Sequence, residues 1–389
     1  MENAQMTELG TQRSCIRELF EYGKIKAAEV GAENVFDFSL GNPSTPPPAA
    51  VTAEALRLLQ TAEPVSLHGY TSAQGDLAVR SAIAESLNRR YGTAYTPQNL
   101  YMTCGAAAAL CCCFRGLFTP GSECIVFAPY FPEYKVFIEA NGGIPVVVPP
   151  DERFQPDFGA LETAITANTR AVVVNSPNNP SGAVYTAETL RKLAALLTKK
   201  SAQFGSPIFL ISDEPYREVV YDGVTVPWIP ALYPHTIVCY SYSKALSLPG
   251  ERIGYALVPN SVADWQNVYA ALCGAGRSMG YVNAPSLFQR VVARCCDCPP
   301  DLSVYAENRS LLLDCFGKLG LSCAPAEGTF YLFLKAPNGD GSAFSAAAKE
   351  HNLLLVPGED FGCPDYVRLS YCVPTGRVLG ALPVFARLL

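Results

Sequence analysis

Apolar positions along this chain recur in two ways. Some fall at the three-to-four-residue step of a helix face, and others form short continuous runs of the length of a strand buried on both sides. Ile16, Leu19, Phe20 and Ala27 stand at the helical step, which predicts a first helix over residues 12–30. Residues 35–40 read as a strand that ends at Gly41-Asn42-Pro43, and the stiff run Pro46-Pro47-Pro48 marks a boundary. Strands then alternate with helices. The strands are expected at 100–103, 124–128, 144–148, 171–174, 208–212 and 236–240. The helices are expected at 53–61, 76–91 and 187–199, with others starting at 106 and 132. Such alternation implies an α/β architecture, a mostly parallel sheet covered by helices on both faces. After about Gly280 the pattern changes. Helices from 284 and 304, strands at 329–334, 353–356 and 366–369 and a closing helix at 375–389 describe a smaller α+β domain. The expected division is an arm plus part of the small domain at 1–45, a large domain at 46–280 and a small C-terminal domain at 281–389. No internal repeat or low-complexity tract interrupts it.

Composition narrows the class. With 49% apolar and 16% charged residues the chain must fold around a large core, and disorder is excluded. A net charge of −6 gives no electrostatic reason to expect nucleic acid. The apolar runs Val172-Val173-Val174 and Ile208-Phe209-Leu210-Ile211 are of strand length, so no membrane span is expected. Residues 1–13 are polar and lack the apolar centre of a signal peptide, so a cytoplasmic protein is expected. The chain has 15 cysteines, clustered at Cys111-Cys112-Cys113 and Cys295-Cys296-Asp297-Cys298. They read either as a metal or redox site or as small buried hydrophobes in a reducing compartment. Adjacent positions on a helix point apart and no second pair stands at zinc-site spacing, which favours burial; no metal is expected.

In an open parallel sheet, ligands bind beyond the carboxyl ends of the strands. Four segments with chemical potential fall there. Ser241-Tyr242-Ser243-Lys244 follows a strand, with Arg252 eight residues beyond the lysine. A lysine in a closed site can form a Schiff base with a carbonyl, and a nearby arginine can hold a phosphate, so an aldehyde carrying a phosphate is suggested. Asp213 ends the run 207–212, where a carboxylate can keep a pyridine nitrogen protonated or merely cap a turn. Asn179, in the segment 175–182, can donate to a ring oxygen or simply make an Asn-Pro turn. Gly105-Ala106-Ala107 opens a helix whose amides and dipole suit a phosphate, although helix initiation alone needs no ligand.

Together and in this order, these segments resemble the fold-type-I pyridoxal-phosphate (PLP) enzymes, and more closely the class I/II aminotransferases. The family's Asn-Pro-x-Asn-Pro-Thr/Ser-Gly is similar to Ser176-Pro177-Asn178-Asn179-Pro180-Ser181-Gly182, with Ser176 in place of the first asparagine. Its Asp-x-x-Tyr matches Asp213 to Tyr216, and its Ser-x-Ser-Lys-x(7)-Arg-x-Gly matches Ser241 to Gly254. The resemblance spans nearly the whole chain. It implies a PLP cofactor bound in the large domain, with Lys244 as Schiff-base lysine and proton shuttle and Asp213 as the partner of the ring nitrogen. Asn179 and Tyr216 would bond the ring oxygen, and Tyr216 would join Lys244 and Asp213 as a catalytic residue. Ser241, Ser243, Arg252 and the amides of Gly105, Ala106 and Ala107 would hold the phosphate. Phe131, preferred over Tyr130, would stack on the ring. Arg368, in Tyr366-Val367-Arg368-Leu369-Ser370, would clamp a substrate carboxylate with Asn179, while Gly41 would let the backbone approach it. Tyr70, in His68-Gly69-Tyr70, would reach the neighbouring active site of a homodimer.

The resulting expectation is a ping-pong aminotransferase acting between an L-amino acid, aspartate-like or aromatic, and a 2-oxo acid. Alternatives are a carbon–sulfur β-lyase of the cystathionine type, which would use the same carbanion to expel a leaving group, and a non-catalytic PLP-binding regulator. The regulator would need an added DNA-binding domain or a lost lysine, and neither is visible. Arg277 is available as a second cation for an acidic side chain and equally reads as a loop or helix-end arginine.

Overall fold

A computed structural model describes residues 2–11 and 14–389. Twelve strands run through the described residues: β1 (Phe36–Asp37), β2 (Leu100–Thr103), β3 (Glu123–Phe127), β4 (Ile144–Val148), β5 (Thr169–Asn175), β6 (Phe209–Asp213), β7 (Thr236–Ser241), β8 (Gly254–Leu257), β9 (Tyr331–Lys335), β10 (Leu353–Leu354), β11 (Val356–Pro357) and β12 (Tyr366–Ser370). The chain divides into two units. The larger comprises Thr45–Asn178 and Ala183–Asp301; the smaller takes the chain up to Ser44, Asn179–Gly182 and Leu302–Leu389.

In the larger unit seven strands lie in the order β2-β8-β7-β6-β5-β3-β4. β8 runs antiparallel to both neighbours and every other adjacent pair is parallel. The central strands are apolar on both faces because helices cover both. One core packs Val172, Val174 and Leu210 against Leu190, Leu193 and Leu197 of the helix Ala187–Phe204. Thr186 starts that helix by accepting from the Thr189 N–H, and Gly205 ends it at φ 68°. Burying each leucine stabilises by roughly 2 kcal/mol. A second core joins Met102, Val238 and Leu257 to Ile83, Leu87, Val291 and Val292. Val291 and Val292 belong to the helix Ser286–Cys295, whose apolar face thus lies in this core. The expected boundary after residue 280 is therefore displaced, and the larger unit runs on to Asp301.

The smaller unit carries the antiparallel sheet β11-β12-β9 and the parallel pair β1-β10. The strand expected over 35–40 shrinks to the two residues of β1. Asp37 turns its Oδ1 onto the N–H of Ser39 at 2.8 Å and its hydroxyl at 2.6 Å, a local turn that competes with the extended form. The first long helix runs Cys15–Val30; residues 12 and 13 of the expectation lie outside the described residues. Among the described residues, no helix is long and apolar enough to cross a membrane.

Candidate active site

The carboxyl ends of β6 and β7 carry the buried polar residues Asp213, Ser241 and Ser243. β7 ends at Ser241, whose Oγ accepts from the Ser243 N–H at 3.2 Å and so caps the short helix Tyr242–Ala245. The Ser241 hydroxyl donates to Ser243 Oγ at 2.8 Å. Lys244 stands on this helix, half-buried, with Nζ 6.0 Å from the ring centre of Tyr216. Beside it, Gly105 opens the helix Ala106–Leu117 at φ +83°, and its N–H bonds back to Thr103 O. A side chain there would put its Cβ 3.1 Å from Arg252 Nη2 and 3.5 Å from Ser241 Oγ. Glycine, both serines and the arginine therefore border one small space. The arginine is held by Pro249 O at 3.0 Å and Cys104 O at 3.2 Å. First-turn amides have no partner within their helix, so those of Ala106 and Ala107 remain donors to offer, while the Gly105 N–H is already engaged. The arrangement suits a phosphate.

Asp213 is buried at the end of β6, in register with Cys239 of β7. Its Oδ2 accepts from the Tyr134 hydroxyl at 2.5 Å, and Asn175 Nδ2 donates to its main-chain O at 3.0 Å. Oδ1 has no hydrogen-bond partner among the described residues. Burial pushes the carboxyl up to about 7; the Tyr134 hydrogen bond pulls it down and Glu214 pushes it further up. A buried oxygen left open is costly unless a bound group satisfies it. A protonated ring nitrogen is such a donor. The open oxygen, the phosphate space and the lysine amine together fit a pyridoxal-type ring.

The smaller unit holds a separate cation. Arg368, on β12, is 2% exposed and packed between two rings, 4.5 Å from Tyr331 and 5.0 Å from Phe361. Nη1 donates to Asn179 Oδ1 at 3.1 Å and Nη2 to Ser39 O at 2.6 Å. Its Nε has no partner among the described residues. Gly41 leaves room for Tyr331, since a Cβ there would fall 1.7 Å from the tyrosine oxygen. Gly182 ties the Asn179 segment into this unit by accepting from the N–H groups of Glu327 and Gly328. A planar cation so fixed, with one donor open, suits a carboxylate.

Several residues of the sequence reading stand elsewhere. Tyr70 is fully exposed. Arg277 lies exposed in the last turn of the helix Trp265–Met279. Phe131 is half-buried and meets the Tyr134 ring edge-on at 5.7 Å, whereas Tyr130 is buried beneath Lys135. Cys112 and Cys113 are buried within the helix Ala106–Leu117, and burial pushes Cys112 up to about 12. No metal-binding group forms among the described residues. Sequence reasoning missed Tyr134, Asn175, Tyr331 and Phe361. A tyrosine at a helical core position carries no signal of the carboxylate it will meet. Asn175 could have been found, as the polar end of an otherwise apolar strand.

Comparison with known proteins decides the family. A family model described as aminotransferase class I and II matches residues 33–382. The chain belongs to the class I and II aminotransferases. This aminotransferase is 32% identical to a probable aspartate/prephenate aminotransferase of Thermus aquaticus, over 82% of this chain and 83% of that one. It is 31% identical to an aspartate aminotransferase of Thermotoga maritima, over 92% of each. Among solved structures, an amino transferase from Eubacterium rectale shares 54% identity with a TM-score of 0.98, covering 100% of this chain and 98% of that one. The aspartate aminotransferase of Thermus thermophilus with maleate gives 28% and 0.87, with full coverage of both. The fold is the fold-type-I aminotransferase fold.

Proposed function

We propose that this aminotransferase uses pyridoxal 5'-phosphate to move an amino group between an L-amino acid and a 2-oxo acid in two half-reactions, with an aspartate-like donor. The observation that carries the cofactor is the buried, open Oδ1 of Asp213 at the end of β6. When bound, PLP supplies an aldehyde that condenses with amines and a ring that draws electrons from the carbon bearing the amino group. The chain supplies the rest. Lys244 Nζ would hold the cofactor's aldehyde carbon and would carry the substrate's α-proton. Asp213 Oδ1 accepts from the ring nitrogen and keeps its proton in place. Asn179 and Tyr216 donate to the ring oxygen, and Phe131 covers a ring face. Ser241, Ser243, Arg252 and the Ala106 and Ala107 amides hold the phosphate, with Gly105 making the turn that admits it. Arg368 takes the substrate carboxylate, with Gly41 leaving space beside it.

The names of the relatives support an aspartate-like donor, and maleate, bound to the Thermus thermophilus enzyme, is a dicarboxylate. The exposed ring of Tyr70 supports a homodimer in which it reaches the neighbouring site. Borohydride treatment of the PLP-loaded protein should fix the cofactor on Lys244, read by peptide mapping, and Lys244→Ala should abolish turnover. With 2-oxoglutarate, aspartate should outpace aromatic donors. Labelling of another lysine would sink the assignment, and release of pyruvate and thiol from cystathionine without transamination would favour a β-lyase.

A further inference from the structure

Tyr134 is a fully buried hydroxyl that the proposed chemistry does not use. It stands on the helix Glu133–Ala140, and its hydroxyl donates to Asp213 Oδ2 at 2.5 Å. Asn175 Nδ2 holds the main-chain O of Asp213 at 3.0 Å and reaches Oδ2 at 3.5 Å. Both neighbours therefore act on the same side of the carboxylate and leave Oδ1 open. We propose that Tyr134 is a positioning residue: its hydroxyl holds Oδ2 so that Oδ1, still ionised, is the oxygen presented to the cofactor's ring nitrogen. The inference rests on the cofactor role given to Asp213 above.

The bland alternative is a tyrosine that fills volume. Its ring does so, meeting Phe131 at 5.7 Å, but a phenylalanine would serve that purpose equally. What the hydroxyl adds is a donor. Glu214 and the burial itself both raise the proton affinity of Asp213, and Tyr134 opposes them. Cys239, adjacent on β7, is a thiol whose own ionisation Asp213 and burial disfavour. Without the Tyr134 donor, the proton between the ring nitrogen and Oδ1 moves toward the oxygen. The ring then draws electrons less strongly.

The test loads wild type, Tyr134→Phe, Asp213→Asn and the double variant with PLP labelled with 15N at the ring nitrogen. The 15N shift of wild type should be that of a protonated ring, and Tyr134→Phe should move it toward the unprotonated value. Substrate α-proton exchange should slow by about 10- to 100-fold, the usual weight of a hydrogen bond to a charged group. In the Asp213→Asn background, Tyr134→Phe should add little, because the two act through one contact. Substituting 3-fluorotyrosine, which keeps the packing and strengthens the donor, should hold the shift on the protonated side. A wild-type 15N shift in Tyr134→Phe, or an equal loss in both backgrounds, overturns the inference while Asp213 keeps its role. An unaltered shift and rate in Asp213→Asn overturns both.

Discussion

Asp213 is a carboxylate folded into a place where water cannot reach it. In the cofactor-free protein its pKa is raised from 3.8 to about 7, chiefly by burial. The folded state therefore holds a proton that the unfolded state gives up. The stability tied to that proton is complete below about pH 4 and is lost as pH rises through about 7. Asp213→Asn carries no such penalty. Cofactor-free Asp213→Asn should thus gain on wild type between pH 5 and 8, by on the order of a few kcal/mol, and gain little at pH 4. Denaturant titration across that range reads the difference; a gap that stays constant with pH would refute the assignment of the buried charge. Loading with PLP should shrink the gap, since a ring N–H satisfies the carboxylate that burial penalises.

At the scale of single elements, the sharpest constraint is the strand-to-helix turn at Gly105. Its φ of +83° is one that residues with a Cβ rarely adopt, and Arg252 occupies the space that a side chain would need. Gly105→Ala should cost about 1–2 kcal/mol in stability. It should also loosen cofactor retention, read as PLP lost on gel filtration. Gly250→Ala is the control, since a Cβ there meets nothing within 4 Å and its φ is not left-handed. Equal behaviour of the two variants would show that the turn has no part in holding the cofactor. This turn was legible in the sequence because glycine between an apolar strand and an alanine-rich helix has few other uses. The strands β2 to β7 were legible for a similar reason: a doubly buried strand must be apolar throughout. β8 was not. It has only the four residues Gly254–Leu257, directly behind Arg252, and nothing in so short a run announces an antiparallel partner for both β2 and β7. The short reach of β1 escaped too, because Asp37 reads as an ordinary polar residue until its bond to Ser39 is seen. That Asp213 and Lys244 stand at strand ends could be read from their order along the chain, whereas Tyr134 depends on a meeting of residues 79 positions apart.

For the molecule as a whole, assembly is the open quantity that the surface addresses. Tyr70 is fully exposed, Val65 on the helix Pro64–His68 is largely so, and Leu56 and Leu59 on the helix Ala49–Thr61 are so in part. The proposed homodimer should sediment at about twice the 41.8 kDa of one chain. Tyr70→Phe should leave that mass unchanged and weaken PLP retention, since only the hydroxyl is lost. A monomer that binds PLP as tightly as its relatives would count against the surface having this use.

The way the smaller unit is stitched together also bears on how the protein is born. β1 pairs Phe36 with Leu353, so an early part of the chain waits for a late one. At ribosomal speeds of about 5–20 residues per second, that wait lasts roughly 15–60 s. Through it Leu19, Phe36 and Phe38 lack their final neighbours, while the larger unit's sheet is synthesised in between. The nascent N-terminal segment is then a natural client for a chaperone, and slowing translation late in the message should lower the yield of folded protein more than slowing it early.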